Sequence, residues 1–220
     1  MRVGRRTVSF ALDDPDDHVQ RHLVRGRFYE ADLLPTHGDL VWMRSTVLDV
    51  GANVGNHTVW YALRTRAARV YPFEPNPPTA ALLRDTVERN GLAKVDLTHL
   101  GKGVGSRRRD LYVHAAPGEH NLGGTSLRKQ GDVAVAVHPL DGLDFEGPIS
   151  LVKIDVEGME LQVLAGAEAL VAEHRPGLAA EVRTKHLAAF WAWVEAHDYH
   201  VVRAHKMYAD NVNYVCVPRS

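Results

Sequence analysis

From residue 46 onward, short apolar runs alternate along the chain with stretches in which apolar residues recur at helical spacing. Runs of five to seven residues predict buried strands at 46–50, 69–73, 95–100, 149–155 and 178–182. Helical spacing predicts helices at 57–66, 79–90, 159–172 and 185–197. This strand–helix alternation predicts an α/β fold: a doubly wound, mostly parallel sheet with helices on both faces.

The end of the chain departs from this alternation. Two further strands, predicted at 199–204 and 212–217, are separated by a short polar turn at 209–211. That connection leaves no room for a crossover helix, so the last strand is predicted to run antiparallel to its partner. The pattern therefore predicts seven strands with a reversed last one, which separates this chain from an ordinary dinucleotide-binding domain.

The composition is that of one globular domain over residues 1–220, with 45% hydrophobic and 24% charged residues. We expect the N-terminal segment 1–40 to cover the site. Region 110–138 is irregular in pattern and predicts an insertion made of a hairpin and a loop. The helix at 185–197 carries aromatic residues on more than one face, which leaves a monomer or a homodimer open.

Charge and cysteine content narrow the classes of partner. Lys and Arg number 26 against 27 Asp and Glu, and a net charge of −1 argues against a surface dedicated to nucleic acid. The single cysteine, Cys216, excludes an internal disulfide framework and a cysteine-rich zinc site. No run approaches the roughly 20 apolar residues of a membrane span. We predict a cytoplasmic protein that does not bind membranes.

A glycine-rich turn follows the strand at 46–50. Gly51 and Gly55 would let the backbone approach a ligand, and the helix N-terminus beyond them points amide donors at a negative group. Glu74 ends the next strand, 23 positions after Gly51, where an acid can accept hydrogen bonds from both ribose hydroxyls. The dinucleotide fingerprint needs glycines where Asn53 and Asn56 stand. The turn therefore favours a smaller, zwitterionic ligand.

Three motifs in order carry a specific resemblance: VLDVGANVGNHT at 47–58, FEPNP at 73–77 and KIDVEGMELQVLAGA at 153–167. Together they resemble the FkbM-type family of S-adenosylmethionine-dependent methyltransferases, and the resemblance extends over residues 29–217. It implies the Rossmann-like class I methyltransferase fold, whose seven-stranded sheet has an antiparallel last strand. It also implies S-adenosyl-L-methionine as the cofactor.

The resemblance implies that the turn lines the methionine end of the cofactor, that Glu74 holds the ribose, and that Gly103 and Val104 lie on the adenine side. Asp49 either orders the turn or meets an ammonium group. Lys102 departs from the small apolar residues common in the family, and Pro72 predicts that its strand ends or bulges there. The predicted cofactor contacts are Glu30, Asp49, Gly51, Ala52, Asn53, Gly55, Asn56, Glu74, Pro75, Gly103, Val104 and Asp155.

Three charged residues, Lys153, Asp155 and Glu157, alternate at the end of the strand at 149–155. Unpaired buried charge is costly, so these side chains predict a cofactor–substrate junction, although Lys153 could equally pair with a carboxylate. The catalytic candidates are Asp155, Glu157 and His57, a base being useful where the acceptor is a hydroxyl. His57 is as well suited to fixing the loop. The candidate substrate contacts are Asn121, Ser126, Glu181 and His186.

These features predict an O-methyltransferase acting on a hydroxylated small molecule, such as a secondary metabolite or a sugar. No His, Asp and Glu cluster has convincing metal spacing, so no metal is predicted. A methyltransferase acting on RNA or protein is the first alternative, supported locally only by the basic run at 107–109. A nicotinamide-dependent oxidoreductase and a non-catalytic cofactor-binding module are weaker alternatives.

Overall fold

The computed structural model describes residues 1–113, 127–206 and 209–219. The strands in these ranges are β1 (Arg2–Val3), β2 (Arg6–Thr7), β3 (Thr46–Val50), β4 (Arg69–Phe73), β5 (Gly103–Val104), β6 (Arg109–Val113), β7 (Val133–His138), β8 (Ile149–Ile154), β9 (Gly177–Arg183), β10 (Tyr199–His205) and β11 (Asn211–Pro218). The helices are α1 (Gln20–Val24), α2 (Leu34–Asp39), α3 (Asn56–Arg64), α4 (Pro77–Arg89), α5 (Glu160–Ala165), α6 (Glu168–His174) and α7 (Leu187–Ala196).

Among the described residues, the central sheet is mixed and has six strands in the order β10–β11–β9–β8–β3–β4. Strands β4, β3, β8 and β9 are parallel neighbours. Strand β11 lies between β9 and β10 and is antiparallel to both. The antiparallel last strand predicted from the short connection is therefore confirmed.

Both faces of this sheet are covered. Leu48 and Val152 belong to a core cluster that includes side chains of α5, α6 and α7. Their neighbours along the strands, Val47 and Leu151, pack instead with Tyr61 of α3. Because successive strand residues point to opposite faces, this alternation defines one face toward α3 and one toward α5–α7.

The prediction of a strand at 95–100 is wrong. Within this run, all of which the structure describes, Val95 alone pairs with β4, through an isolated parallel bridge to Val70. The carboxylate of Asp96 accepts hydrogen bonds from both the backbone N–H and the hydroxyl of Thr98, at 2.9 and 2.5 Å. This side-chain-to-backbone bonding favours a turn over an extended chain, so the sheet has six strands, not seven, within the described part of the chain.

Strand β4 runs through Pro72 without the predicted end or bulge. Val70 directs its N–H and C=O away from β3, toward Lys94 and Asp96, at 2.9 Å each. By alternation, Pro72 faces the same outer side, so its missing N–H removes no hydrogen bond between β4 and β3. Proline is tolerated because this strand is nearly an edge strand.

The prediction of a single helix at 159–172 is wrong, because the chain forms two helices there, α5 and α6, with a break between them. A Cβ on Gly166 would stand 2.1 Å from the carbonyl oxygen of Gly105, so only glycine permits this close approach. Asp141 then accepts hydrogen bonds from the N–H groups of Ala169 and Leu170, at 3.0 and 2.9 Å, which starts the second helix. Asp141, which is distant in sequence, thus sets the point at which the second helix begins.

A second, three-stranded sheet lies beside the first in the order β5–β7–β6. Strand β7 is parallel to β5 and antiparallel to β6. Two of its strands come from the region predicted as an insertion, of which residues 114–126 lie outside the described part. This sheet brings Gly103 and Val104 to the carboxyl edge of the central sheet.

Candidate functional site

The turn between β3 and α3 is pinned between two neighbouring strands. Gly51, Asn53 and Gly55 have φ values of 80°, 50° and 93°, the left-handed region that favours glycine and, less strongly, asparagine. The N–H of Gly51 donates to the carbonyl of Phe73 at the end of β4, at 2.9 Å. On the other side, a Cβ on Gly51 would stand 1.7 Å from the carbonyl oxygen of Asp155. The turn thus requires glycine at this position.

Glu74 lies buried beneath this turn. One carboxylate oxygen accepts the N–H of Asn53 and the other the N–H of Asn76, each at 2.9 Å. Burial raises the pKa of Glu74 to about 7, although the two N–H donors oppose the rise. Each oxygen can still accept a second hydrogen bond, so the carboxylate is able to receive two further donors from the pocket.

A pocket opens at the carboxyl edge of the sheet, above β3, β4 and β8. It encloses about 600 Å³ including its open mouth. Eight predicted residues line it: Gly51, Asn53, Glu74, Pro75, Gly103, Val104, Asp155 and Glu157. The other lining residues are Val50, Phe73, Lys102, Leu127, Val156 and Met159.

The apolar part of this wall was missed by sequence reasoning. Val156 and Met159 lie between the charged residues of the 153–167 motif, and their apolar character was the available signal. A buried carboxylate with spare acceptor capacity, beside a wall of aliphatic and aromatic side chains, suits an adenosine group: the carboxylate for ribose hydroxyls and the wall for the purine. The residues present therefore fit the implied cofactor.

Eight other predicted residues within the described part of the chain do not line this pocket, and Glu181 and His186 are two of them. Ala52 and Gly55 are part of the turn itself, and a Cβ on Gly55 would crowd Leu83 of α4 at 3.2 Å. Asn56 pairs with the backbone of Tyr29: its Oδ1 accepts the N–H at 2.9 Å and its Nδ2 donates to the carbonyl at 3.2 Å. Asp49, His57 and Glu30 are also buried, on the side of the sheet that faces α3.

Lys153 joins the turn to two carboxylates. Its Nζ donates to the carbonyl of Gly51 at 2.6 Å and lies 3.2 Å from Asp49 and 3.4 Å from Asp155. Burial alone would lower the pKa of Lys153, but the nearby carboxylates raise it well above its ordinary value. The alternative that Lys153 pairs with a carboxylate is therefore confirmed. Asp49, which also accepts the Thr58 hydroxyl at 2.6 Å, orders the turn.

His57 faces Glu30, not the pocket. The His57 Nε2 and Glu30 Oε2 atoms are 3.3 Å apart, and the other Glu30 oxygen accepts from Asn213 Nδ2 of β11 at 2.9 Å. Burial would raise the pKa of Glu30, but His57 and Lys153 together lower it. This arrangement ties the N-terminal segment to both α3 and β11. It favours the interpretation of His57 as a residue that fixes local structure.

A row of polar side chains crosses the α3 face of the sheet near its carboxyl edge. Asp49 pairs in register with Lys153, and Lys153 with Ala179, two residues before Glu181 on the same face. Glu181 in turn lies opposite Asn213. Burial, together with the negative charges of Asp155, Glu30 and Glu157, raises the pKa of Glu181 to about 8.

Of the predicted residues not yet placed, Glu157 and His186 have polar partners, and two others lie outside the described part of the chain. Glu157, with φ of 47°, bonds Arg183 Nη2 at 2.7 Å. His186 Nδ1 lies 2.7 Å from Glu160, a buried carboxylate that also accepts the N–H of Arg183. His186 is thus a partner of Glu160, a pairing that the sequence pattern did not indicate. Asn121 and Ser126 lie outside the described residues.

Two negative findings apply to residues 1–113, 127–206 and 209–219. No helix there is long and apolar enough to cross a membrane. No group of three or more His, Cys, Asp or Glu side chains there is arranged to hold a metal ion.

Residues 49–208 match the family model described as the Methyltransferase FkbM domain. The hexuronic acid methyltransferase AglP of Haloferax volcanii is 30% identical over 131 residues, covering 58% of this chain and 49% of AglP. The 31-O-demethyl-FK506 methyltransferase FkbM of Streptomyces tacrolimicus is 30% identical over 163 residues, covering 60% of this chain and 63% of that protein. The match thus spans less than two thirds of either relative.

Solved structures share the fold. A methyltransferase FkbM from Methylobacillus flagellatus superposes with a TM-score of 0.59 at 22% identity, covering 80% of this chain and 44% of that one. A Streptococcus mutans protein solved in complex with SAH superposes with a TM-score of 0.55 at 14% identity, covering 84% and 94%. At these identities the likeness establishes the class I methyltransferase architecture.

Proposed function

The chain belongs to the FkbM methyltransferase family, and we propose from this premise that it transfers a methyl group from S-adenosylmethionine to a hydroxyl of a small molecule. When bound, S-adenosylmethionine supplies an activated methyl group on a sulfonium. The protein then has to position the acceptor, exclude water and receive a proton.

The observation that carries the proposal is the pocket above the glycine turn. Glu74 faces it with a carboxylate whose oxygens each have capacity for one more donor, which suits the two ribose hydroxyls. The close contact between Gly51 and Asp155 brings the methionine side of the pocket against the end of β8. Val104, Val156 and Met159 supply an apolar surface for the adenine.

The choice of a hydroxylated small molecule draws on the relatives. The name of AglP describes methylation of a hexuronic acid, and that of FkbM describes methylation of a demethylated FK506 oxygen. Both acceptors named are small molecules with oxygen functions. The rRNA and tRNA methylases among the solved structures match at 11–12% identity, which is support for a shared fold only.

Calorimetry tests the cofactor assignment. S-adenosylhomocysteine should bind and NAD should not, because the turn lacks the close-packing glycines that a pyrophosphate needs. Glu74→Ala should weaken S-adenosylhomocysteine binding at least tenfold, since each hydrogen bond to a charged group contributes about 1.5–3 kcal/mol. Glu88→Ala, an exposed acid on α4, is the matched control. Binding of NAD without S-adenosylhomocysteine would refute the proposal.

A labelled-methyl transfer screen tests the acceptor class. Sugars, uronic acids and hydroxylated polyketides would be offered alongside tRNA and peptides, with the Glu74→Ala variant as the background for each. Label appearing in an alkali-stable ether of a small molecule is the expected result. Label in tRNA or peptide alone would replace the acceptor class while leaving the cofactor assignment intact.

A further inference from the structure

We infer that Glu181 is the base that accepts the hydroxyl proton of the acceptor, an assignment that rests on the proposed methyl transfer. Glu181 lies on β9, next to β8, whose end carries Asp155 on the pocket wall. The parallel register pairs Lys153 with Ala179, and its continuation brings Asp155 alongside Glu181 on the same face of the sheet. Glu181 thus lies one strand beyond the methionine side of the pocket.

The carboxylates at this edge differ in their partners. Asp155 lies 3.4 Å from Lys153, Glu157 lies 2.7 Å from Arg183, and Glu30 lies 3.3 Å from His57. Each of these partners stabilises the charged form of its carboxylate and opposes the effect of burial. Burial still leaves the pKa of Glu157 above its ordinary value, but the Arg183 guanidinium occupies one of its oxygens.

Glu181 has no such partner among the described residues. Its Oε1 accepts a hydrogen bond from Asn211 Nδ2 at 2.7 Å, and no described residue donates to its Oε2. Lys153 acts on it from beyond ion-pair distance. The half-buried Glu181 therefore presents an oxygen that is accessible to an acceptor hydroxyl and is not neutralised by a cation.

The surroundings of Glu181 favour its protonated form in the ligand-free protein. Burial and three negative neighbours raise its pKa to about 8, within the range in which a general base is effective near neutral pH. The charged groups that act on it come from the N-terminal segment, β8 and the loop after β8, and they are Glu30, Lys153, Asp155 and Glu157. The side chains of β11 that face it are Asn211 and Asn213.

The proton transfer balances with the proposed reaction. The acceptor oxygen forms a bond to the methyl carbon while the carbon–sulfur bond breaks, and the electron pair of that bond goes to sulfur. The hydroxyl proton passes to Glu181 Oε2. The products are the methyl ether, the neutral thioether and a protonated Glu181, which loses its proton to solvent before the next turnover.

The role of Glu181 can be tested without knowing the methyl acceptor. A positive sulfonium beside the cluster favours the ionised form of Glu181, whereas the neutral thioether of S-adenosylhomocysteine does not. Binding of S-adenosylmethionine should therefore release a proton that binding of S-adenosylhomocysteine does not. Glu74 and the amino acid group of the ligand contribute to proton release in any variant, so the comparison has to be made against Glu181→Gln.

The test measures proton release by calorimetry at pH 7.5 in buffers of different ionisation enthalpy. Wild-type protein should release about half a proton more with S-adenosylmethionine than Glu181→Gln does, while the two should release equal amounts with S-adenosylhomocysteine. The Gln side chain can still accept from Asn211, so S-adenosylhomocysteine affinity should stay within twofold. Glu195→Gln, which changes an exposed acid on α7, is the matched control and should keep the wild-type difference.

Four outcomes would overturn the assignment in distinguishable ways. Equal proton release by wild type and Glu181→Gln with S-adenosylmethionine would refute the role of Glu181 alone. If Glu181→Gln releases as much as wild type while Glu157→Gln releases less, the proton belongs to Glu157 instead. Failure of both ligands to bind would refute the proposed function and this inference with it. With an acceptor from the screen, Glu181→Gln should lower the single-turnover rate about 10²–10⁴-fold, and an unchanged rate would also refute it.

Discussion

A Cβ on Gly51 would stand 1.7 Å from the backbone carbonyl oxygen of Asp155, closer than any two non-bonded atoms approach. The contact is between main-chain atoms at the ends of two neighbouring strands, β3 and β8. Neither side can move aside as a flexible side chain could. The glycine of the turn is therefore required first by the packing of the protein on itself, and the same contact holds Asp155 on the pocket wall.

Gly51→Ala should destabilise the protein by about 2–4 kcal/mol and weaken S-adenosylhomocysteine binding at least tenfold, because the turn must shift to relieve the overlap. Gly26→Ala is the control, since Gly26 has a similar φ of 72° but no atom within 4 Å of its Cβ position. Urea unfolding should show a loss of only about 1–2 kcal/mol for that variant. Equal losses of stability in the two variants would mean that strain at positive φ alone explains why position 51 needs glycine.

Binding of S-adenosylhomocysteine should strengthen about tenfold between pH 6 and pH 8. Burial raises the pKa of Glu74 to about 7, so below that pH the carboxyl must lose its proton before it can accept two ribose hydroxyls. Glu74→Gln should bind weakly with little pH dependence, whereas Glu88→Gln should keep the wild-type profile. Calorimetry across this range gives the result, and a flat wild-type profile would contradict a ribose contact.

The same carboxyl group predicts a pH dependence of stability. Because the folded-state pKa of Glu74 lies above its unfolded value of 4.5, the folded protein binds the extra proton between about pH 4.5 and 7. Its contribution to the free energy of unfolding is therefore largest below pH 4.5 and declines as pH rises to 7. The stability of Glu74→Gln relative to wild type should increase over this range in urea unfolding experiments. A difference that is constant with pH would argue against the raised pKa.

Lys153→Met should cost about 3–5 kcal/mol of stability, because it leaves the fully buried Asp49 without its cation and the Gly51 carbonyl without its donor. Adding Asp49→Asn should restore part of that loss. Arg89→Ala, which removes an exposed ion pair with Asp85 on α4, should cost less than about 1 kcal/mol. Unfolding in urea compares the variants. A loss of similar size for both lysine and arginine variants would refute the role of Lys153.

Asp155→Asn should weaken S-adenosylmethionine binding and lower the single-turnover rate by similar factors, about tenfold each. Its carboxylate already faces Lys153, so its expected role is to hold the methionine end of the cofactor. Calorimetry gives the affinity, and quenched single-turnover assays give the rate. A rate that falls far more than the affinity would instead make Asp155 the base, the signature of an interaction made only in the transition state.

The sequence was sufficient for features fixed by local pattern. Apolar runs at 46–50 and 69–73 became β3 and β4 with unchanged bounds. The turn at 209–211 is too short for a crossover, and chain geometry then requires the antiparallel β11. Gly51 follows β3 and Glu74 follows β4, and the carboxyl ends of parallel strands meet at one edge of the sheet. Their presence in the same pocket therefore followed from order along the chain.

Tertiary structure decided which partner each polar side chain has. The apolar pattern at 95–100 was overridden by the hydrogen bonds of Asp96, and the helix at 159–172 was broken by Asp141. His57 and Asn56 stand within the glycine motif, yet their side chains contact the N-terminal segment. Unlike Asp155, Glu181 has no cation within ion-pair distance among the described residues, and that difference depends on residues of β8, β11 and segment 1–40. Such pairings are set by packing between elements distant in sequence. Local periodicity carries no information about that packing.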